Sequence, residues 1–135
     1  RVTSCQSLLQ LSSVTKNIRY KNDIVNSMVV ETDVYYLQTI IRNLLQNAIK
    51  ASPDNGTICI SAVQLNHACL ITIENDGKTF SQQDYESAIA DWQNAVSGSG
   101  LGLHITHELA QKINAGIYFS NPSGNRTIAT ISLPV

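Results

Sequence analysis

The clearest pattern in the chain is a run of apolar residues at helical spacing over Val34–Ala51. Thr32 or Asp33 precedes the run as a candidate N-cap, and the turn sequence Ser52–Gly56 ends it. One face of this helix is therefore expected to be buried. The apolar positions on that face are Val34, Leu37, Ile40, Ile41, Leu44, Leu45, Ala48 and Ile49.

Two further segments have helical patterns. Apolar residues at helical spacing in Ser4–Thr15 predict a short amphipathic helix. Another helix is expected over Gly100–Ile113, and Asn114 suits its end because asparagine tolerates the left-handed conformation. The preceding residues 75–99 are largely polar, with a helical turn or two expected near Tyr85–Trp92.

Alternating apolar positions and turn residues predict two hairpins, joined at Asn66–His67 and at Pro122–Asn125. Two short extended pieces precede the long helix. The predicted strands are Asn22–Asn26, Met28–Glu31, Thr57–Leu65, Ala68–Glu74, Ile117–Ser120 and Thr127–Leu133. Hairpins separated by helices favour an α/β (α+β) two-layer sandwich, with a mixed sheet covered on one face by helices.

Composition fits one compact domain over residues 1–135. Hydrophobic residues make up 43% and charged residues 14%, which is ordinary for a soluble domain with a core. The net charge of -1 predicts no binding to nucleic acid or to an anionic membrane surface. Three cysteines without CxxC spacing argue against a disulfide framework or a zinc site. No apolar run approaches the roughly 18 residues of a membrane span, and the first residues of this sequence do not have the pattern expected of a signal peptide. Because the chain starts in mid-pattern, we expect a domain of a longer protein.

The long predicted helix also carries a polar stripe. Asn43, Asn47 and Lys50 fall within about 60° of one another around the helix, away from the apolar face. Carboxamide oxygens are hard ligands suited to Mg²⁺, which takes one or two protein ligands together with phosphate oxygens and water. An ordinary solvated helix face is the competing interpretation of these three residues alone.

A glycine-rich run leads into the helix predicted over 100–113. Its residues are Gly98, Ser99, Gly100, Leu101, Gly102 and Leu103. Alternating glycines let backbone N–H groups approach an anion, and the helix N-terminus adds its positive end. The spacing is not the GxGxxG of a Rossmann site, and no Gly-Lys-Ser/Thr follows as in a Walker A motif. An ordinary glycine-rich loop is the alternative.

A third polar group ends a predicted strand at Asn75, Asp76 and Gly77. A side-chain oxygen there is suited to accept a hydrogen bond from the exocyclic amine of a base. The competing interpretation is a strand-ending turn, for which Asn-Asp-Gly is common.

Together the three groups resemble the conserved boxes of the GHKL ATPase superfamily, in the form typical of sensor histidine kinases. The segment Asn43–Lys50, NLLQNAIK, resembles the N-box, and Asn75–Gly77 resembles the G1 box, usually DxGxG. Residues 98–103 match the GxGLGL pattern of the G2 box, and the final hairpin with Leu133–Pro134 is also similar to that family's last strands. The resemblance runs from about Leu8 onward, and three boxes in this order are highly specific.

The resemblance implies a GHKL (Bergerat-type) sandwich with three helices on one face, and ATP and Mg²⁺ as ligands. By position, Asn47 would be the Mg²⁺ ligand, and Asn43 would bind phosphate or a metal-bound water. Lys50 and the amides around Gly100–Leu103 would contact the phosphates.

The same resemblance implies a base-binding role for the G1 box. Asn75 takes the position of the adenine-reading Asp, Asp76 is the alternative after a register shift, and Gly77 would let the base approach. Thr79 stands where the family has its second glycine. The segment expected to form the ATP lid, Ser81–Ser97, contains no Gly, Lys or Arg.

Two other clusters have more ordinary interpretations. His107-Glu108-Leu109 superficially resembles a phosphoacceptor sequence, but no Pro follows and the residues lie inside a predicted helix. His104, His107 and Glu108 lack a third ligand at a known metal-site spacing, and a solvated helix face is favoured.

The resemblance therefore implies a histidine kinase catalytic domain of two-component signalling and phosphorelays. The domain would bind ATP or ADP and supply the γ-phosphoryl group to a histidine on a separate phosphoacceptor (dimerisation) domain of the same protein. A response regulator would be an indirect partner, and no residue of this chain would act as the nucleophile. The expected location is cytoplasmic, within a parent protein that could be a membrane sensor. The alternatives are an anti-sigma-type serine kinase and a degenerate nucleotide-binding or scaffolding module.

Overall fold

The computed structural model describes residues 2–4, 19–24, 29–92 and 101–134. The helices of this part are α1 (Val34–Ala51), α2 (Gln82–Trp92) and α3 (Leu101–Lys112). Its strands are β1 (Val2–Ser4), β2 (Arg19–Ile24), β3 (Val29–Glu31), β4 (Thr57–Leu65), β5 (Ala68–Asp76), β6 (Gly116–Ser120) and β7 (Arg126–Pro134). The helix predicted over Ser4–Thr15 lies outside the described residues, except that Ser4 belongs to strand β1.

Helix α1 has the bounds that its sequence predicts. Asp33 is the N-cap, and its Oδ1 accepts a hydrogen bond from the backbone N–H of Tyr36 at 3.1 Å. At the other end, the N–H of Ser52 donates to the carbonyl of Ala48 at 3.0 Å and closes the last turn. The predicted apolar stripe is buried at Leu37, Ile40, Ile41, Leu44, Leu45, Ala48 and Ile49.

The main sheet has five strands in the order β2-β4-β5-β7-β6. Strand β2 pairs in parallel with β4, and the other neighbours are antiparallel. Burial alternates along β4, β5 and β7, so one face of the sheet packs against the helices. The predicted mixed, mostly antiparallel sheet with helices on one face is confirmed. Strands β1 and β3 form a separate antiparallel pair.

Several element bounds differ from those predicted. β5 continues through Asp76, because its ladder with β7 extends to the pair Asp76 and Arg126. The helix α2 spans 11 residues, where a turn or two was predicted. It is stabilised by tertiary packing, since Tyr85 is only 4% exposed and Ala88 and Ile89 pack against the core at helical spacing. α3 ends at Lys112, one residue before the predicted Ile113, and Asn114 adopts the expected left-handed conformation at φ 58°.

Candidate functional site

A cavity of about 400 Å³ lies between α1, the ends of β5 and β7, and the segment after β5. Its size is within the range of small-molecule sites. The apolar part of its lining consists of Leu44, Ala48, Ala51, Ile73, Phe80, Leu103, Phe119 and Ala129. The polar part consists of Asn47, Lys50, Asn75, Lys78, Thr79 and Thr127. Apolar walls with few polar groups suit a planar, partly apolar ligand that carries specific hydrogen-bonding atoms.

The N-box residues divide between this cavity and the start of α3. Asn47 and Lys50, which share one stripe of α1, line the cavity. Asn43, one helical turn before Asn47, is not part of the lining. Its Nδ2 lies 3.3 Å from the carbonyl oxygen of Gly102 and 3.3 Å from Oγ1 of Thr106, both on α3.

The two candidates for base contact lie in different places. Asn75 is 4% exposed and lines the cavity, and its Nδ2 donates to the carbonyl of Asp76 at 3.0 Å. The side chain of Asp76 is 44% exposed and its Oδ1 accepts from Nε of Arg126 at 3.1 Å. Arg126 also pairs with Glu74 at 2.5 Å. The geometry therefore favours Asn75 as the group that a ligand in the cavity would meet.

The close approach of the chain to α1 requires a glycine at position 77. Its φ is 114°, and a Cβ built on it would lie 2.1 Å from the carbonyl oxygen of Ala51. Its N–H donates to the carbonyl of Asn125, and the N–H of Lys78 donates to the carbonyl of Ala51. These bonds fix the turn that carries Lys78 and Thr79 to the cavity.

Sequence reasoning missed Lys78, Phe80 and Thr127 as lining residues. Lys78 immediately follows the G1-like group and precedes Ser81–Ser97, the segment expected to form the lid, which contains no Lys or Arg. Thr127 pairs directly with Asn75 across β5 and β7 and is 5% exposed. Its Oγ1 accepts from the backbone N–H of Phe80 at 3.0 Å and from Nδ2 of Asn121 at 3.2 Å. Strand alternation could have identified Thr127 as an inward-facing residue, because Thr127 lies in phase with the buried positions of β7.

The glycine-rich run is described from Leu101 onward, and Gly98, Ser99 and Gly100 lie outside the described residues. α3 begins at Leu101, as expected for a run that ends in a helix N-terminus. Leu103 is 6% exposed and lines the cavity, whereas Gly102 is exposed and a Cβ there would meet nothing within 4 Å. The start of α3 therefore borders the cavity on the side of α1.

Part of the segment expected to form a lid is a packed helix. Residues 82–92 form α2, and Tyr85 contacts Phe119 with ring centroids 5.1 Å apart and His107 at 6.3 Å. Phe119 in turn contacts Phe80 at 5.1 Å, so α2 is joined by aromatic contacts to the wall of the cavity. Burial raises the pKa of Tyr85 to about 12.

The histidines of α3 lie apart from the cavity lining. Nε2 of His104 lies 3.6 Å from a carboxylate oxygen of Glu108, one turn later on the same helix. Within residues 2–4, 19–24, 29–92 and 101–134, no three His, Cys, Asp or Glu side chains are grouped as for a metal ion. Among the helices that the structure describes, none is long and apolar enough to cross a membrane.

Comparisons with known proteins agree on one family. Residues 32–135 match the family described as histidine kinase-, DNA gyrase B-, and HSP90-like ATPase. The sensor histidine kinase TmoS of Ectopseudomonas mendocina is 31% identical over 129 residues, which are 89% of this chain and 13% of that protein. This chain thus spans a small part of the length of that relative.

Solved structures of histidine kinases share the fold. A nucleotide-free catalytic domain of the histidine kinase ThkA superposes with a TM-score of 0.82 at 21% identity, covering 99% of this chain and 94% of that one. ThkA in complex with the response regulator protein TrrA gives a TM-score of 0.79 at 21% identity, covering 99% of this chain and 41% of that one.

Proposed function

Because this chain belongs to the histidine kinase-, DNA gyrase B-, and HSP90-like ATPase family, we propose that its cavity binds Mg·ATP and presents the γ-phosphoryl group to a histidine of a separate phosphoacceptor domain. The observation that carries the proposal is the convergence of Asn47 and Lys50 from α1 with Asn75 from β5 on one cavity of about 400 Å³. Asn75 is distant in sequence from Asn47 and Lys50, and it belongs to a different box of the resemblance.

The base would lie at the buried end of the cavity. Asn75 and Thr127 are neighbours across two strands there, and both are at most 5% exposed. Oδ1 of Asn75 would accept from the exocyclic amine of adenine, since its Nδ2 donates to the carbonyl of Asp76. The apolar walls, including Phe80 and Ile73, would pack against the faces of the base.

The phosphates would lie toward α1 and the start of α3. Lys50 and Lys78 both line the cavity and would offset the charge of the phosphates. The backbone amides around Gly100–Leu103 would add donors at a helix N-terminus. Oδ1 of Asn47 is a hard oxygen on the cavity wall, which fits a Mg²⁺ ligand in a site that otherwise uses phosphate oxygens and water. When bound, Mg²⁺ would neutralise charge on the phosphate oxygens.

In the proposed reaction, a nitrogen of the acceptor histidine forms a bond to the γ-phosphorus while the bond to the bridging oxygen of ADP breaks. The chain would contribute positioning and charge, the two terms that dominate phosphoryl transfer. The nucleophile belongs to the phosphoacceptor domain, so residues 1–135 alone should bind nucleotide with little turnover. The complex of ThkA with TrrA supports a response regulator as the indirect partner of a parent protein.

Calorimetric titration of residues 1–135 with ATP and ADP, with and without Mg²⁺, tests the proposal. We expect micromolar to sub-millimolar affinity, with Mg²⁺ strengthening the binding of ATP. Addition of a phosphoacceptor domain should then give a phosphohistidine. The absence of binding under every condition would favour the scaffolding alternative, and binding without transfer to histidine would leave a nucleotide-binding module.

A further inference from the structure

A hydrogen-bonded cluster joins the middle of α1 to the first turn of α3. Nδ2 of Asn43 lies 3.3 Å from the carbonyl oxygen of Gly102 and 3.3 Å from Oγ1 of Thr106. The hydroxyl of Thr106 donates to the same carbonyl at 2.8 Å. Thr106 is completely buried, at 0% exposure, and lies 63 residues from Asn43 in the chain.

The cluster determines which end of the Asn43 carboxamide faces α3. The Thr106 hydroxyl has one proton, and that proton is directed to Gly102, so Oγ1 presents a lone pair to Asn43. The Gly102 carbonyl is also an acceptor. Both groups therefore accept from the NH₂ of Asn43. The reversed carboxamide would place Oδ1 against the Gly102 carbonyl oxygen with no proton between them, unless the Thr106 proton left that carbonyl.

In this orientation the side-chain atom of Asn43 that remains for other contacts is Oδ1, which is a hydrogen-bond acceptor. A phosphate oxygen needs a donor, and Nδ2 of Asn43 is used on α3. A metal-bound water donates protons and needs an acceptor such as Oδ1. Asn43 also lies one turn, about 6 Å along the helix axis, from Asn47, which is the residue suited to hold the cation.

We propose that Thr106 is a positioning residue that, with the Gly102 carbonyl, holds Asn43 as an acceptor for a water bound to Mg²⁺, and that Asn43 does not contact phosphate. The inference rests on the proposed function, because it assigns a role at the same Mg·ATP site. It also accounts for a hydroxyl at a fully buried position of α3, where valine would fill a similar volume.

The test compares Thr106→Val with Thr106→Ser in the chain of residues 1–135. Valine removes the hydroxyl and keeps the shape, whereas serine keeps the hydroxyl. Each protein is titrated by calorimetry with ATP, with and without Mg²⁺. The ratio of the two affinities is the gain from Mg²⁺, and this gain is compared between the proteins. Thr106→Val should reduce this Mg²⁺-dependent gain in ATP affinity by about three- to tenfold, because one of the two acceptors that orient the carboxamide is lost, while metal-free affinity stays within about twofold. Thr106→Ser should retain the gain.

A second measurement reads the orientation directly. In the nucleotide-free protein, the side-chain NH₂ signals of Asn43 in a ¹H–¹⁵N spectrum should shift in Thr106→Val and remain nearly unchanged in Thr106→Ser. The signals are assigned by their loss in Asn43→Ala. If Thr106→Val does not fold, Thr106→Ala removes the same hydroxyl without a bulky replacement and is titrated in the same way.

Each outcome separates this inference from the proposed function. An equal loss of ATP affinity with and without Mg²⁺ in Thr106→Val would mean that Thr106 only holds α3 in place, which overturns the inference. An unchanged gain from Mg²⁺ in that variant would overturn it too, with the proposed function intact. If the unmodified chain shows no gain from Mg²⁺, the proposed function fails first and the inference fails with it.

Discussion

Asn75 and Asp76 are consecutive residues of β5, yet they lie on opposite faces of the sheet. Asn75 is buried at the cavity beside Thr127, whereas Asp76 pairs with Arg126 on the face away from the helices. Strand alternation forces this separation, because successive side chains point to opposite faces. A one-residue shift that exchanged the two roles would also exchange the buried and exposed positions along the whole strand.

The first prediction follows from that separation. Asn75→Ala should weaken the binding of ATP and of ADP by a similar factor of about ten. The variant loses the proposed hydrogen bond to the base, and the exocyclic amine of the bound base is left buried without that acceptor. Asp76→Asn is the matched control, and it should leave both affinities within about twofold. Calorimetry with both nucleotides measures the effects. A larger effect of Asp76→Asn would reverse the assignment.

The second prediction concerns Asn47. Asn47→Ala should remove most of the Mg²⁺-dependent gain in ATP affinity while metal-free binding changes little, because Oδ1 is the proposed ligand. Gln46→Ala, on the exposed side of α1, removes a carboxamide outside the cavity lining and should behave as the unmodified chain. Equal Mg²⁺ gains in the three proteins would rule out Asn47 as the ligand.

Lys78 yields a third prediction, which the sequence alone did not suggest. Lys78→Gln should lower ATP affinity about three- to tenfold at low salt, with a smaller effect at high salt, because Lys78 is exposed and its charge is screened by salt. Lys112→Gln, an exposed lysine in the last turn of α3, serves as the control. Titrations at two ionic strengths measure both. A loss that does not depend on salt would indicate that Lys78 acts through its contacts within the fold.

The sequence predicts those features of the site that depend on local periodicity. Helix α1 has the predicted bounds because Asp33 and Ser52 cap it locally, and Asn47 and Lys50 share one side because a helix repeats every 3.6 residues. The placement of Asn75 in the cavity follows from strand alternation in the same way.

Other features depend on contacts between distant segments. Lys78 reaches the cavity because Gly77 packs on Ala51, and Asn43 turns toward α3 because Gly102 lies beside it in space. The polar sequence of α2 has few apolar positions, and its Tyr85 packs against the rings of Phe119 on β6 and His107 on α3, both distant in sequence. Weak local propensity is overridden there by tertiary packing.

The fourth prediction tests the packing of the G1-like turn. Gly77→Ala should lower the free energy of unfolding by at least about 2 kcal/mol, because alanine disfavours a positive φ and its Cβ would lie 2.1 Å from the Ala51 carbonyl oxygen. Gly124→Ala, where a Cβ would meet nothing within 4 Å, should change stability little. Urea unfolding measures both variants. Equal stabilities would contradict the close contact between the turn and α1.

The last prediction concerns Tyr85, whose hydroxyl is buried and has no hydrogen-bond partner among the described residues. Burial raises its pKa in the folded chain from 10.0 to about 12. The unfolded chain therefore releases this proton near pH 10, while the folded chain keeps it until about pH 12. Between these values the unfolded state binds fewer protons, so stability falls as pH rises, by about 1.4 kcal/mol per pH unit.

Tyr85→Phe isolates that contribution from the other tyrosines. The variant should be as stable as the unmodified chain or slightly more stable at neutral pH, because it removes a buried hydroxyl that has no hydrogen-bond partner in the described part of the chain. Above pH 10 the difference between the two proteins should widen in favour of Tyr85→Phe, because the other ionisable groups are common to both. Urea unfolding between pH 8 and pH 11 measures the difference. A constant difference across that range would mean that the hydroxyl finds a hydrogen-bond partner or solvent in the folded chain.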